Sequence, residues 1–339
     1  MLISQFTRGM GETMKFKNVA ARGLMVAMCL STVALVALPG ISQAKTKGGA
    51  TKAPTYYVSL GDSYSVGYQP IGGPFGEATS GYTGFVASKL KMTLVNFGCG
   101  GETTASILDP TAVCLTTPTA SPPPNSFQPP AATNAGVVPL GESQVQAADA
   151  FITAHSGHVG LITVSIGGND VTPCAGASPT NLVNGQSSAI LCVAVGVTAI
   201  KTNVKTAVDD LRAAAGSSVP IVGLTYPDVL LGLWVHPTFP ASAANLSLAK
   251  ESVGAFSGFI NPALKSAYTS VTDRKFVDVT MAMKYTTPLT KLANLAPYGK
   301  IPKAVAEVCQ LTYYCSLGNI HANTKGYTEI GKLIKKALK

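Results

Sequence analysis

The sequence predicts an α/β protein built on a doubly wound, mainly parallel sheet of about five strands, and three observations carry that prediction. Several short runs, among them residues 56–60 and 159–166, are continuously apolar and rich in β-branched or aromatic residues, as strands covered on both faces must be. Segments with apolar residues at helical spacing alternate with those runs along the chain. The chain has 339 residues, 46% hydrophobic and 12% charged, so it can bury a large core and does not have the composition of a disordered protein. Right-handed crossovers between parallel strands then place helices on both faces.

The first 44 residues are a different kind of sequence. Lys15, Lys17 and Arg22 precede an apolar run over 24–38, and small residues stand at Ser42 and Ala44. A basic stretch, an apolar stretch and a small-residue site predict a secretory signal cleaved after Ala44, with Met14 as an alternative start. The run is short for a membrane span, and Met28 before Cys29 speaks against a lipid-modified cysteine, so an exported soluble protein is expected. Losing Arg8, Glu12, Lys15, Lys17 and Arg22 lowers the net charge from +9 to +6. Lys332, Lys335, Lys336 and Lys339 cluster on the last predicted helix with no aromatic residues between them, which suits a solvated face and the helix dipole rather than nucleic acid. Residues 45–55 form a Lys, Gly and Ala-rich lead-in, and 56–339 are read as one domain.

Without Cys29 the chain keeps six cysteines: Cys99, Cys114, Cys174, Cys192, Cys309 and Cys315. An even number in an exported chain argues for disulfides, and sequence proximity suggests 99–114, 174–192 and 309–315 among fifteen arrangements. The spacings do not suit a metal site, since no pair has the Cys-x-x-Cys form.

In chain order, the first strand stops at Gly61, and Asp62-Ser63 follows where a helix begins. A Gly-rich passage over 69–81 leads to a helix over 82–91, and residues 93–97 read as the second strand, ending in a Gly-rich turn at 98–104. Residues 116–139, rich in Pro, Thr, Ala and Ser, are expected to run over the surface. A helix over 143–155 precedes the third strand, which runs into Gly167-Gly168-Asn169-Asp170. A long helix over 187–215, a fourth strand over 219–226, a loop over 227–240, a mainly helical stretch over 241–268 and a fifth strand over 275–279 follow. Residues 281–317 read as largely irregular, and the last helix starts near Asn323 or Thr324.

Three strand ends therefore deliver Ser63, the Gly100-Gly101 turn and Asn169 to one edge of the sheet, where open α/β sheets bind ligands. Asp62 and Ser63 alone also fit a plain helix cap. Together, however, the three offer what acyl transfer requires: a hydroxyl nucleophile and donors for the developing oxyanion, namely the Ser63 and Gly101 N–H groups and the Asn169 amide. Asp62 and Asp170 are expected to brace the turns. Of four histidines, His155 and His158 precede the third strand and so lie at the opposite edge. His236 follows the fourth strand, and His321 sits in a tight turn before the last helix and is the preferred base. Ser63 lacks the Gly-x-Ser-x-Gly frame, and neither glycine-rich turn matches a phosphate-binding loop.

Four stretches in order, Gly61-Asp62-Ser63, residues 96–101, Gly167-Gly168-Asn169-Asp170 and His321 before Gly326, resemble the SGNH hydrolases, also called the GDSL lipase/esterase superfamily. With the signal and six cysteines, the chain is most similar to the actinobacterial secreted members with three disulfides. The resemblance implies a flavodoxin-like sheet of order 2-1-3-4-5, Ser63 as nucleophile, Gly101 and Asn169 as oxyanion donors, and His321 as base. It departs from the family at Gly318, where an Asp commonly stands three residues before the histidine. Some secreted members use a main-chain carbonyl instead, and a Ser63–His321 dyad oriented by a backbone oxygen is the expectation here. No metal or organic cofactor is expected. The expected partner is a small-molecule or lipid ester, with transient contact to a lipid surface, and the protein is expected to be a monomer. Phospholipids and acetylated polysaccharides are alternative substrates; a secreted glycan-binding or adhesin-like protein is the non-enzymatic alternative. Apolar residues in 230–239 and 281–295 are candidates either for an acyl groove or for packing of the long loops.

Overall fold

The computed structural model describes residues 55–71, 81–112, 138–176, 182–183, 186–270 and 275–339. The predicted signal, the lead-in up to residue 54, most of the 116–139 excursion and Cys114 lie outside them. Five strands, β1 (Tyr56–Gly61), β2 (Thr93–Asn96), β3 (Val159–Ser165), β4 (Ile221–Leu224) and β5 (Phe276–Val277), form one sheet. Its order is β2-β1-β3-β4-β5 and every pairing is parallel. The predicted order and strand direction are both observed. All C-terminal strand ends consequently share one edge.

The central strands explain themselves. Tyr57, Val58 and Leu60 of β1 and Leu161, Ile162 and Val164 of β3 have no exposed surface. The polar groups that enter this layer pair with one another: the Tyr57 hydroxyl meets Thr163 Oγ1 at 2.7 Å, and Thr163 Oγ1 donates to Ser59 Oγ at 3.2 Å. That pairing offsets the desolvation a lone buried hydroxyl carries.

The helices are α1 (Ser63–Val66), α2 (Tyr82–Leu90), α3 (Gln144–Ala154), α4 (Gly168–Val171), α5 (Ser188–Ala215), α6 (Ala243–Ala255), α7 (Asn261–Thr269), α8 (Val279–Ala282), α9 (Lys303–Leu311), α10 (Tyr314–Leu317) and α11 (Thr324–Ala337). Helix α5 packs against α3 and α7, and α11 packs against α2. By composition its Leu191–Ala215 stretch is long and apolar enough to cross a membrane, but Ile200, Val204, Val208 and Leu211 are fully buried in the core. Helix α3 opens on a capping box, with Ser143 Oγ accepting from the Gln146 N–H and Gln146 reaching back to the Ser143 N–H. Helix α11 is capped by Asn323, buries Tyr327, Ile330 and Ile334, and leaves Lys332, Lys335 and Lys336 exposed, as the charge pattern predicts.

Three expectations are corrected or refined. Residues 281–317 are not largely irregular: they hold an antiparallel hairpin, Leu292–Leu295 with Gly299–Pro302, followed by α9 and α10. Pro302 is the N-cap of α9, a position that needs no intrahelical N–H. The 227–240 loop contains a 3-10 turn, Val229–Trp234, with Val229 and Leu231 buried. The predicted 241–268 helix is divided into α6 and α7 by a π-helical turn, Phe256–Ile260.

Disulfides join Cys174 to Cys192 and Cys309 to Cys315, with Cα atoms 5.5 and 5.1 Å apart, the pairings suggested by proximity. Cys99 is also disulfide-bonded.

Candidate active site

The site is built outward from Gly61. Its φ of +132° is closed to side-chain-bearing residues, and a Cβ there would lie 2.0 Å from the Ser165 carbonyl oxygen. Only glycine lets β1 press this closely on β3 before the chain turns. The Gln144 side chain clamps the turn, accepting from the Gly61 N–H at 2.5 Å and donating to the Gly61 carbonyl at 3.1 Å. Asp62 then caps α1: Oδ1 accepts from the Tyr64 N–H at 2.9 Å, and Oδ2 accepts from the Tyr226 hydroxyl at 2.5 Å. Burial pushes the Asp62 carboxyl up to about 7 against the pull of these hydrogen bonds. Ser63 follows as the first residue of α1.

The imidazole of His321 comes from the turn between α10 and α11, and its Nε2 lies 2.7 Å from Ser63 Oγ. The Tyr64 ring stacks on it at 5.6 Å and Tyr68 tilts against it at 4.5 Å, centroid to centroid. Tyr64 also donates its hydroxyl to the Ile320 carbonyl at 2.5 Å, fastening the histidine turn to α1. The enclosed imidazole is pushed down to about 3 by burial.

On the other side, β2 delivers Gly101, at φ +83°, and Glu102. Asn169 Nδ2 donates to the Glu102 carbonyl at 2.7 Å, and a second hydrogen remains on that nitrogen. Asp170 holds the same turn through the Thr104 N–H at 2.9 Å and the Thr104 hydroxyl at 2.6 Å. Burial raises the Asp170 carboxyl above its ordinary value, and the Thr104 bonds oppose that rise. Ser63 and Asn169 line one cleft of about 430 Å³, open to solvent, with Val171, Val229, Phe256 and Ile260 among its apolar walls. A hydroxyl, a ring nitrogen placed to take its proton, and an amide beside both are thus assembled on one rim.

A model of the GDSL-like lipase/acylhydrolase family matches residues 57–334. The chain belongs to this family. Similar solved structures include the extracellular lipase from Streptomyces rimosus, 17% identical with a TM-score of 0.47, covering 84% of this chain and 99% of that one. Phospholipase A1 from Streptomyces albidoflavus NA297 is 15% identical at 0.45, covering 84% and 98%. A carbohydrate acetylesterase from Sinorhizobium meliloti is 13% identical at 0.36, again covering 84% and 98%. Identities this low bear on nothing finer than the fold. The comparison with curated proteins returned no match.

The contact expected from a backbone oxygen at His321 Nδ1 is made by a side chain instead. His321 Nδ1 lies 2.7 Å from Asn319 Oδ1, which also accepts from the His321 backbone N–H at 3.1 Å. Asp109, Asp228 and Asp278 have other partners: Asp109 accepts from Thr111, Asp228 from Ser252, and Asp278 caps α8. At Gly318, where the family's usual Asp would stand, a side chain would have to displace the His236 ring. The φ of Gly318 is +65°, and a Cβ there would stand 2.6 Å from His236 Nε2. His236, the second candidate base, instead has its ring edge-on to Tyr314. His155 Nδ1–H donates to the Phe151 carbonyl and its ring stacks on the Phe151 ring, away from this edge. Among the described residues no His, Cys, Asp and Glu group could hold a metal ion.

Residues missed by the sequence reading include Asn319, Tyr64, Tyr226 and Gln144. Only Asn319 left a local signal, since Asn two residues before its partner is a turn signature. The cleft walls were also placed elsewhere. They come from 171–172, 226–229 and the π turn rather than from 281–295, where Met281 and Leu292 are exposed.

Proposed function

We propose that this GDSL-family hydrolase is an exported serine esterase acting on lipid or other acyl esters through an acyl-enzyme on Ser63. The observation that carries the reading is the 2.7 Å approach of His321 Nε2 to Ser63 Oγ at the rim of a cleft with apolar walls. His321 takes the Ser63 proton as Oγ attacks the ester carbonyl, then returns it to the departing alcohol; water repeats the cycle on the acyl-enzyme. The Ser63 and Gly101 N–H groups and the second hydrogen of Asn169 Nδ2 receive the oxyanion. Asp62 and Asp170 fix the two turns and do not react. The domain is taken as residues 56–339, released from a signal over 1–44; the disulfides at Cys174–Cys192 and Cys309–Cys315 support an oxidising destination. The walls of Val171, Val229, Phe256 and Ile260 favour an aliphatic acyl group over a sugar.

A fluorophosphonate probe tests the reading. Labelling that maps to Ser63 and vanishes in Ser63→Ala is expected. A folded protein that stays unlabelled, and hydrolyses no nitrophenyl ester from acetate to palmitate, overturns it in favour of a binding protein.

A further inference from the structure

We propose that Asn319 is the positioning residue for His321, standing where a carboxylate is usual, and that this neutral partner lets the hydrolase keep working in acid. The inference rests on Ser63 and His321 being the catalytic pair.

The Asn319 Oδ1 atom has two neighbours on one residue, the backbone N–H and ring Nδ1 of His321. A backbone N–H can only donate, so the asparagine atom facing it is its oxygen and not its nitrogen. The same oxygen faces Nδ1, so Nδ1 carries the ring proton. Nε2 is then the bare nitrogen directed at Ser63 Oγ, the tautomer that accepting the Ser63 proton requires. Asn319 thereby supplies what an acidic partner supplies in orientation and tautomer choice. It does not supply the negative charge.

Among the described residues no charged group is seen to act on the ring. From α1 and the residues just after it, the imidazole meets Ser63, Tyr64 and Tyr68, and from its own turn it meets Asn319. Asp62, the nearest acid in sequence to Ser63, turns its two oxygens to Tyr226 and the Tyr64 N–H. Burial alone acts on the ring and lowers its proton affinity. A base of that kind remains unprotonated far below the ordinary histidine range. An acid in the usual position would be strained: Gly318 is in the left-handed region, and a Cβ there would lie 2.6 Å from His236 Nε2, so the His236 ring would have to shift to admit it.

The test is the pH dependence of kcat/KM for a nitrophenyl ester in wild type, Asn319→Asp and Asn319→Ala, with thermal melts of each. Wild type is expected to hold its activity from neutrality to below pH 5. Asn319→Asp keeps an acceptor for both hydrogen bonds and adds a charge that favours the imidazolium, so its acid limb is expected to move up by at least one pH unit. Asn319→Ala is expected to lose about 10²-fold or more in kcat with little change in KM, while Asn319→Asp retains most of the neutral-pH activity. Two outcomes overturn the assignment. One is an acid limb in Asn319→Asp that coincides with that of wild type. The other is an Asn319→Ala enzyme within threefold of wild type. Failure of the underlying reading looks different: wild type itself is inert to every ester and Ser63 is unlabelled.

Discussion

The two turns that meet at the site are held by opposite means. The Ser63 turn, Gly61 to Val66, leaves a strand buried from Tyr57 onward and is fixed by partners remote in sequence. Gln144 clamps Gly61, Tyr226 holds Asp62, and the Asp62 N–H bonds the Ser165 carbonyl at 3.0 Å. The histidine turn is fixed mainly from within. Asn319 binds His321, the Tyr313 N–H bonds the His321 carbonyl at 2.9 Å, Asn323 bonds back to Leu311, and Cys309–Cys315 closes the preceding segment. It then docks on the nucleophile side through the Tyr64 hydroxyl on Ile320 and the Tyr327 hydroxyl on Tyr68. The contrast teaches that the position of Ser63 is a property of the core, whereas His321 is carried by a separately braced clasp. Damage to the first should appear as lost stability, and damage to the second as lost turnover.

The largest expected effect bears on both turns at once. Ser63→Ala removes the group they exist to bring together, and kcat should fall by about 10⁴-fold or more with the melting temperature nearly unchanged. Asn169→Ala removes the carboxamide donor, and a loss of about 10² to 10³-fold in kcat, with KM changed far less, is the expected kinetic result. Tyr226→Phe tests the core side of the contrast. It strips a buried carboxyl of its hydroxyl donor, so denaturant unfolding should show a loss of about 1–3 kcal/mol, and the remaining folded enzyme should keep most of its turnover. If instead turnover collapses while stability holds, the contrast between the turns is wrong. Replacing Cys309 and Cys315 together by serine sharpens the other side: about a tenfold fall in kcat is expected, with a melting shift of only a few degrees because the closed loop is short.

The smallest effect is a change of slope with pH. Asp228 is fully buried beside Ser252, and burial pushes its carboxyl up to about 7. A folded-state pKa above the unfolded one means that the native state holds the extra proton, so this contribution to stability is present below about pH 4 and is lost as pH rises through 7. His321, held down to about 3, acts in the opposite sense, weakening the fold as pH falls from about 6.5. Asp228→Asn removes only the first contribution. Its melting temperature relative to wild type should climb between pH 4 and pH 7, and a constant difference across that range refutes the assignment.

Much of this arrangement was legible beforehand for a plain reason. Buried parallel strands must be continuously apolar, and Gly61, Asp62, Ser63 and Asn169 follow directly on such strands, so local sequence alone puts them at one sheet edge. His321 was legible because it precedes a well-marked helix. The helix over Lys303–Leu311 was not, since that stretch reads as largely irregular, yet Pro302 caps a helix there. Asn319 was hidden in a different way. Its spacing to His321 announces a turn, but whether its oxygen meets the ring depends on how that turn sits against α1.

The sequence by itself therefore determined the α/β architecture, the strand order it implied through family resemblance and which residues lie at the strand ends, and it suggested the two described disulfide pairings. Tertiary structure alone decided which group faces His321 Nδ1, what a side chain at Gly318 would meet, and which walls line the cleft. Those outcomes depend on contacts between segments up to about 258 residues apart, such as Ser63 with His321. Periodicity and capping report only a residue's near neighbours, while the direction of a side chain in a turn is set by whatever packs across from it.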